Sequence, residues 1–146
     1  MQPSHVLVPL DGSPLADAAL EHALAVFDCQ ITVLNVVTPL DAPLSEGGVM
    51  GASDERIETA REHTDQVIER AQRRAEEFDR TVQTAVETGE PAETILDYAG
   101  DHDVDHVVMG AHGEDTHRLA RRLLGTVATA VIGESAVTVT VVKDSY

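Results

Sequence analysis

Along this chain the spacing of apolar residues switches repeatedly between the two periods of regular structure. His5-Val6-Leu7-Val8-Pro9-Leu10 is a short apolar run that predicts a buried strand. Asp11-Gly12-Ser13-Pro14 follows, where Ser13 can cap a helix and Pro14, with no N–H to leave unpaired, suits its first position. Leu15, Ala18, Ala19, Ala23 and Val26 mark the inward face of that helix, which should end near Phe27. Ile31 to Val37 predicts a second strand. The stretch from Thr38 to Ser53, with two prolines and three glycines, reads as a mobile surface loop. The longest helix is expected from Asp54 to Phe78, with Ile57, Ala60, Thr64, Val67, Ile68, Ala71, Ala75 and Phe78 on one face. Its other face, rich in Arg, Glu and Gln, is an ordinary solvated surface.

Thr81 to Val86 alternates polar and apolar, the pattern of a strand at a sheet edge. Gly89-Glu90-Pro91 opens a third helix with Ala92, Ile95, Leu96 and Ala99 inward and Gly100 as its stop. His106 to Met109 is a fourth strand, Gly125-Thr126 starts a last helix through Ile132, and Val137 to Val142 is a fifth strand. Alternating strands and helices predict an α/β fold: a parallel sheet covered on both faces, with right-handed crossovers. Neither an internal repeat nor a second domain is visible, so residues 1–146 read as one domain. In such sheets ligands sit beyond the carboxyl ends of the strands, where the strand order reverses. The loops after strands one and four are the places to search.

Composition changes the picture in two respects. Apolar residues make up 42% of the chain but aromatics 3%, so the core must be built from Val, Ile, Leu and Ala. Asp and Glu total 26 against 10 basic residues, a net charge of −16, and Lys143 is the sole lysine. Such a field repels phosphate backbones and anionic lipids, which excludes nucleic acid and membrane surfaces as partners. Solubility is the plain explanation; adaptation to high salt, where cations screen the self-repulsion, is the sharper and favoured one. A disordered acidic chain is excluded by the periodic apolar positions. No apolar run approaches the ~18 residues of a membrane span. Met1-Gln2-Pro3-Ser4 lacks the basic start of a signal peptide, and Cys29, a lone thiol, fits a reducing cytoplasm.

Several common engines are missing. A phosphate loop of the Walker type needs a lysine after its glycines, and Lys143 lies at the end of the fifth strand. Asp11-Gly12-Ser13 has a single glycine, too few for the dinucleotide turn, and there is no Gly-x-Ser-x-Gly elbow. Cys29 reads as packing. Two loops remain. In the first, Asp11 can accept hydrogen bonds from a ribose or a base amino group; the alternative is that Asp11 and Ser13 only organise the turn and cap the helix. In the second, Met109-Gly110-Ala111-His112-Gly113 with Gly125-Thr126 downstream supplies glycines for close backbone approach, helix N–H donors and a hydroxyl.

Together these segments resemble the universal stress protein family along nearly the whole chain. Val8-Pro9-Leu10-Asp11-Gly12-Ser13, Leu34-Asn35-Val36-Val37, Gly89 to Ile95, Val107 to Gly113, Leu123 to Val127 and Val139 to Val142 carry the likeness. The resemblance implies a five-stranded parallel sheet ordered 3-2-1-4-5 that brings the two loops together. It implies that Asp11 and Val36 hold adenosine, that Gly110, Gly113, Gly125 and Thr126 hold ribose and the phosphates of ATP, ADP or AMP, and that Pro9 and Met109 belong to the same nucleotide site, with Mg²⁺ as companion. It also implies a two-fold homodimer through Val137 to Val142, an uncharged edge otherwise left as a pairing template.

One departure bears on function. Eleven residues, Glu114 to Leu124, separate Gly113 from Gly125, where the family's ATP binders keep nine. Glu114 and Asp115 oppose a polyphosphate unless Arg118, Arg121, Arg122 or Mg²⁺ compensates. The expected function is therefore a cytoplasmic regulator that binds ATP or AMP; the alternative is an interaction module of the same fold that binds none. His112 is the one nearby residue with general-base chemistry, so a slow ATP hydrolase is the most that can be expected as an enzyme. Asp101-His102-Asp103-Val104-Asp105-His106 reads as a solvated acidic turn rather than a metal site, and His22 and His63 receive no role.

The charge makes the first prediction. The screening length shrinks from ~30 Å at 0.01 M salt to ~3 Å at 1 M, so the melting temperature should rise steeply between them and continue rising in molar KCl. A flat profile would sink the salt-adaptation expectation.

Overall fold

Val6, Leu7 and Val8 are completely buried, and the remaining elements are arranged around them. The computed structural model describes residues 2–38, 50–113 and 124–143, with only the backbone for 50–57. Strand β1 (His5–Pro9) pairs on one side with β2 (Gln30–Val37), from His5↔Gln30 to Pro9↔Leu34. On its other side it pairs with β4 (His106–Gly110). With β3 (Gln83–Thr88) outside β2 and β5 (Thr138–Val142) outside β4, all five strands run parallel in the order β3-β2-β1-β4-β5. This is the order that the family resemblance implies.

Alternate strand residues face opposite sides. Val6 and Val8 meet α1 (Pro14–Val26) and α2 (Met50–Glu77), whereas Leu7 meets α3 (Pro91–Asp101) and α4 (Thr126–Glu134). Several boundaries differ from the pattern. Helix α2 starts at Met50, inside the stretch read as a loop; residues 39–49 and the side chain of Ile57 lie outside the described residues. Val26 is 56% exposed, because α1 turns Ala16, Leu20 and Leu24 inward beside Leu15, Ala19 and Ala23. Phe78 lies just past the end of α2 and is exposed too. Gly100 does not stop α3, which continues to Asp101 before Asp103 (φ 54°) takes the left-handed conformation. Edge strand β3 begins at Gln83 and leaves Val86 exposed.

The two helices on the face that Val6 and Val8 present are joined by arginines. Arg70 pairs with Asp17 and Arg74 with Glu21. Arg80 donates to the carbonyls of Leu24 (3.1 Å), Phe27 and Cys29 (2.6 Å), satisfying acceptors at and beyond the end of α1. Cys29 packs against the core, and burial pushes its thiol above the ordinary range, in keeping with a packing role.

At the amino ends of the strands, Asp105 accepts from the N–H and Oγ of Ser4 (both 2.9 Å) and the N–H of His5 (3.2 Å). These bonds, the Ser4 N–H foremost, hold its carboxyl below the usual value. His5 shares a 2.8 Å bond with Thr32, His106 a 2.7 Å bond with Thr140, and His102 stacks on Tyr98. The Asp101–His106 segment thus fastens the sheet's amino end.

Burial lowers the pKa of His106, an effect that His22 reinforces and Asp105 opposes. A depressed imidazole favours the folded state above its unfolded pKa of about 6.5, and that contribution is lost as pH falls below it. His106→Gln should therefore lower the melting temperature more at pH 7.5 than at pH 5.5. Thermal melts of both proteins across that range would disprove this if the gap stayed constant.

Candidate functional site

Strands β1 and β4 pair only at Val6↔His106 and Leu7↔Val107, whereas β4 and β5 stay paired over five positions. Beyond Leu7 the two strands part, since the chain leaves β1 towards β2 on one side and β4 towards β5 on the other, with α1 and α4 on opposite faces. A cleft of ≈ 1180 Å³ opens there, at the carboxyl ends of the strands. Pro9, Asp11, Val36, Met109, Gly110, Gly113, Gly125 and Thr126 all line it, so the eight residues singled out in the sequence are brought together.

The first loop does its local work. Asp11 Oδ1 accepts from the Ser13 N–H (2.9 Å), and Ser13 Oγ accepts from Ala16 N–H (3.3 Å) to cap α1. Gly12 has φ +88°, and a Cβ there would stand 3.2 Å from the His63 ring. The other carboxylate oxygen, Asp11 Oδ2, lies 2.9 Å from where a Cβ on Gly113 would be, so the two loops touch through these residues. That contact is a reason for glycine at 113 that needs no ligand. Gly110 has one as well: a Cβ would meet the Leu15 backbone at 3.0 Å, where β4 passes the first turn of α1.

Gly125 is the N-cap of α4 and has no side chain to close the helix end. Its N–H donates to the Ala111 carbonyl at 2.7 Å, and a Cβ would crowd His112. Thr126, Val127 and Ala128 border the cleft, so the first turn's N–H groups and their partial positive charge lie beside it. His112 donates from Nδ1 to the Gly113 carbonyl (3.0 Å). Among the described lining residues Asp11 is the sole carboxylate, and no Lys or Arg is present. Glu114, Asp115, Arg118, Arg121 and Arg122 lie outside the described residues.

Two contributors escaped the sequence reading. Asn35, buried in β2, donates from Nδ2 to the Leu10 carbonyl (2.8 Å) and accepts at Oδ1 from Thr64 Oγ1 (3.1 Å). An amide inside the apolar run Leu34-Asn35-Val36-Val37 was its available signal. The second is the wall that α2 supplies through Ala60, His63 and Thr64, including a histidine to which the sequence assigned no role. No helix among the described residues is long and apolar enough to cross a membrane.

Comparison with known proteins fits this geometry. The sequence model of the Universal stress protein family matches residues 3–143. Universal stress protein MJ0531 of Methanocaldococcus jannaschii is 30% identical over 141 residues, covering 94% of this chain and 81% of its own. The solved structure of MJ0577, the subject of a structure-based assignment of biochemical function, superposes with a TM-score of 0.82 at 27% identity, covering 100% of this chain and 99% of that one. A universal stress protein in complex with cAMP superposes with a TM-score of 0.71 at 24% identity, covering 99% of this chain and 100% of that one.

Proposed function

This chain belongs to the universal stress protein family, and on that footing we propose that its cleft binds an adenine nucleotide, AMP or ATP, as the ligand of a cytoplasmic regulator. One observation carries the proposal: Asp11 Oδ2, not used by the Asp11–Ser13 turn, and the uncapped first turn of α4 border the same cleft. A carboxylate accepts from ribose hydroxyls, and helix N–H groups with the Thr126 hydroxyl donate to phosphate. Pro9, Val36 and Met109 offer apolar surface to the base. The cAMP-bound family structure supports this ligand class. Mg²⁺, where ATP is the ligand, would enter on its phosphates. The proposed activity is binding rather than hydrolysis.

Calorimetry in high salt with adenosine, AMP and Mg-ATP tests it. Asp11→Asn should weaken all three ligands. Thr126→Val should cost AMP and ATP about 1–3 kcal/mol, one hydrogen bond to a charged group, and leave adenosine unchanged. Deleting Glu114 and Asp115, which restores the nine-residue spacing, should tighten ATP more than adenosine. No heat with any ligand would overturn the proposal in favour of the interaction module.

Edge strand β5, with Val139 and Val141 half-buried, we read as the surface that pairs with a second copy. Sedimentation should give a dimer for the wild type and a smaller or insoluble species for Val139→Lys/Val141→Lys. A monomeric wild type would reject the pairing.

A further inference from the structure

Resting on the nucleotide reading, we propose that His63 of α2 contacts the nucleoside end of the ligand and not its phosphates. The amphipathic pattern of α2 places this residue off the core-facing stripe, where a histidine would meet only solvent. The fold changes that. Helix α2 lies across the β1–α1 turn, and His63 and Val67, one helical turn apart, both face the α-carbon of Gly12. A Cβ on Gly12 would stand 3.2 Å from His63 Cε1 and 3.5 Å from Val67 Cγ2. The ring therefore sits against the turn that carries Asp11, and it borders the cleft.

Its position is fixed from both sides. Thr64 Oγ1 donates to the buried Asn35 amide at 3.1 Å, and Val67 is 3% exposed. The imidazole itself remains exposed, and neither ring nitrogen is hydrogen-bonded to another described residue. Thr64, its neighbour on the same wall, has its hydroxyl committed to Asn35. The imidazole can both donate and accept, which suits a purine edge or a ribose hydroxyl pair, each presenting donors and acceptors together. The phosphate-directed donors of α4 belong to the opposite face of the sheet from α2, so the two ends of a nucleotide would meet different helices.

The test uses the full chain, with adenosine and AMP as probes. His63→Ala should weaken both by the same factor, about tenfold, as expected for one lost hydrogen bond. His63→Gln, which keeps a donor and an acceptor, should recover most of it. Melting temperatures of both variants should match the wild type, since the ring is exposed. The imidazole Cε1–H NMR signal of His63, identified by its absence in His63→Gln, should shift on adding adenosine, a ligand without phosphate. Unchanged affinities in His63→Ala, or a loss confined to AMP, would overturn the assignment while leaving the nucleotide reading intact. A wild type that binds neither ligand would remove both.

Discussion

Two adjacent parallel strands from which the chain departs in opposite directions along the sheet leave a crevice beyond their carboxyl ends. Strands β1 and β4 meet this constraint at the centre of the sheet, and they separate after only two paired positions. The cleft follows from that separation. So do the close passages around it, with β4 running against the first turn of α1 at Gly110 and the Gly113 loop resting against Asp11. The ligand-sized space is a by-product of connectivity; the side chains placed around it decide what it can hold.

Holding those walls in place falls largely to Asn35. A side-chain amide buried at this depth would cost about 1–3 kcal/mol for each partner it lacked. Here both of its groups are satisfied, one by Leu10 just past the end of β1 and the other by α2. Three elements are thereby fixed relative to one another at the rim of the cleft. The glycines add a complementary constraint, because each of Gly12, Gly110, Gly113 and Gly125 has a steric reason to lack a side chain. Their presence alone would not reveal a ligand.

That double duty explains what could be read from the chain. The strands and helices were legible because a sheet buried on both faces leaves continuous Val/Ile/Leu runs, and because Ser13-Pro14 and Glu90-Pro91 are strong helix starts. The eight cleft residues were legible through the family likeness and through the rule for switch points. Val26, Phe78 and Gly100 were misread at helix ends, where one extra apolar or flexible residue follows the same spacing without being needed for the core. His63 was invisible for a deeper reason. Its environment is set by how α2 lies over a turn some fifty residues earlier, and no local period encodes that. Its one trace was a glycine at position 12.

Arg80 has a consequence for how the helix pair responds to its surroundings. Its three partners are neutral carbonyls, whereas Arg70 and Arg74 hold α2 to α1 through the charged Asp17 and Glu21. Surface ion pairs are worth no more than about 1 kcal/mol and weaken as salt is added, while hydrogen bonds to carbonyls depend far less on ionic strength. Helix α2 is thus anchored at its heel, away from the cleft, by contacts that brine leaves largely alone. Its middle is held to α1 by ion pairs that brine loosens, and at the rim of the cleft the Thr64–Asn35 hydrogen bond is again neutral. Added ions would therefore slacken only the middle of the helix, while its heel and its rim keep their hold on the rest of the fold.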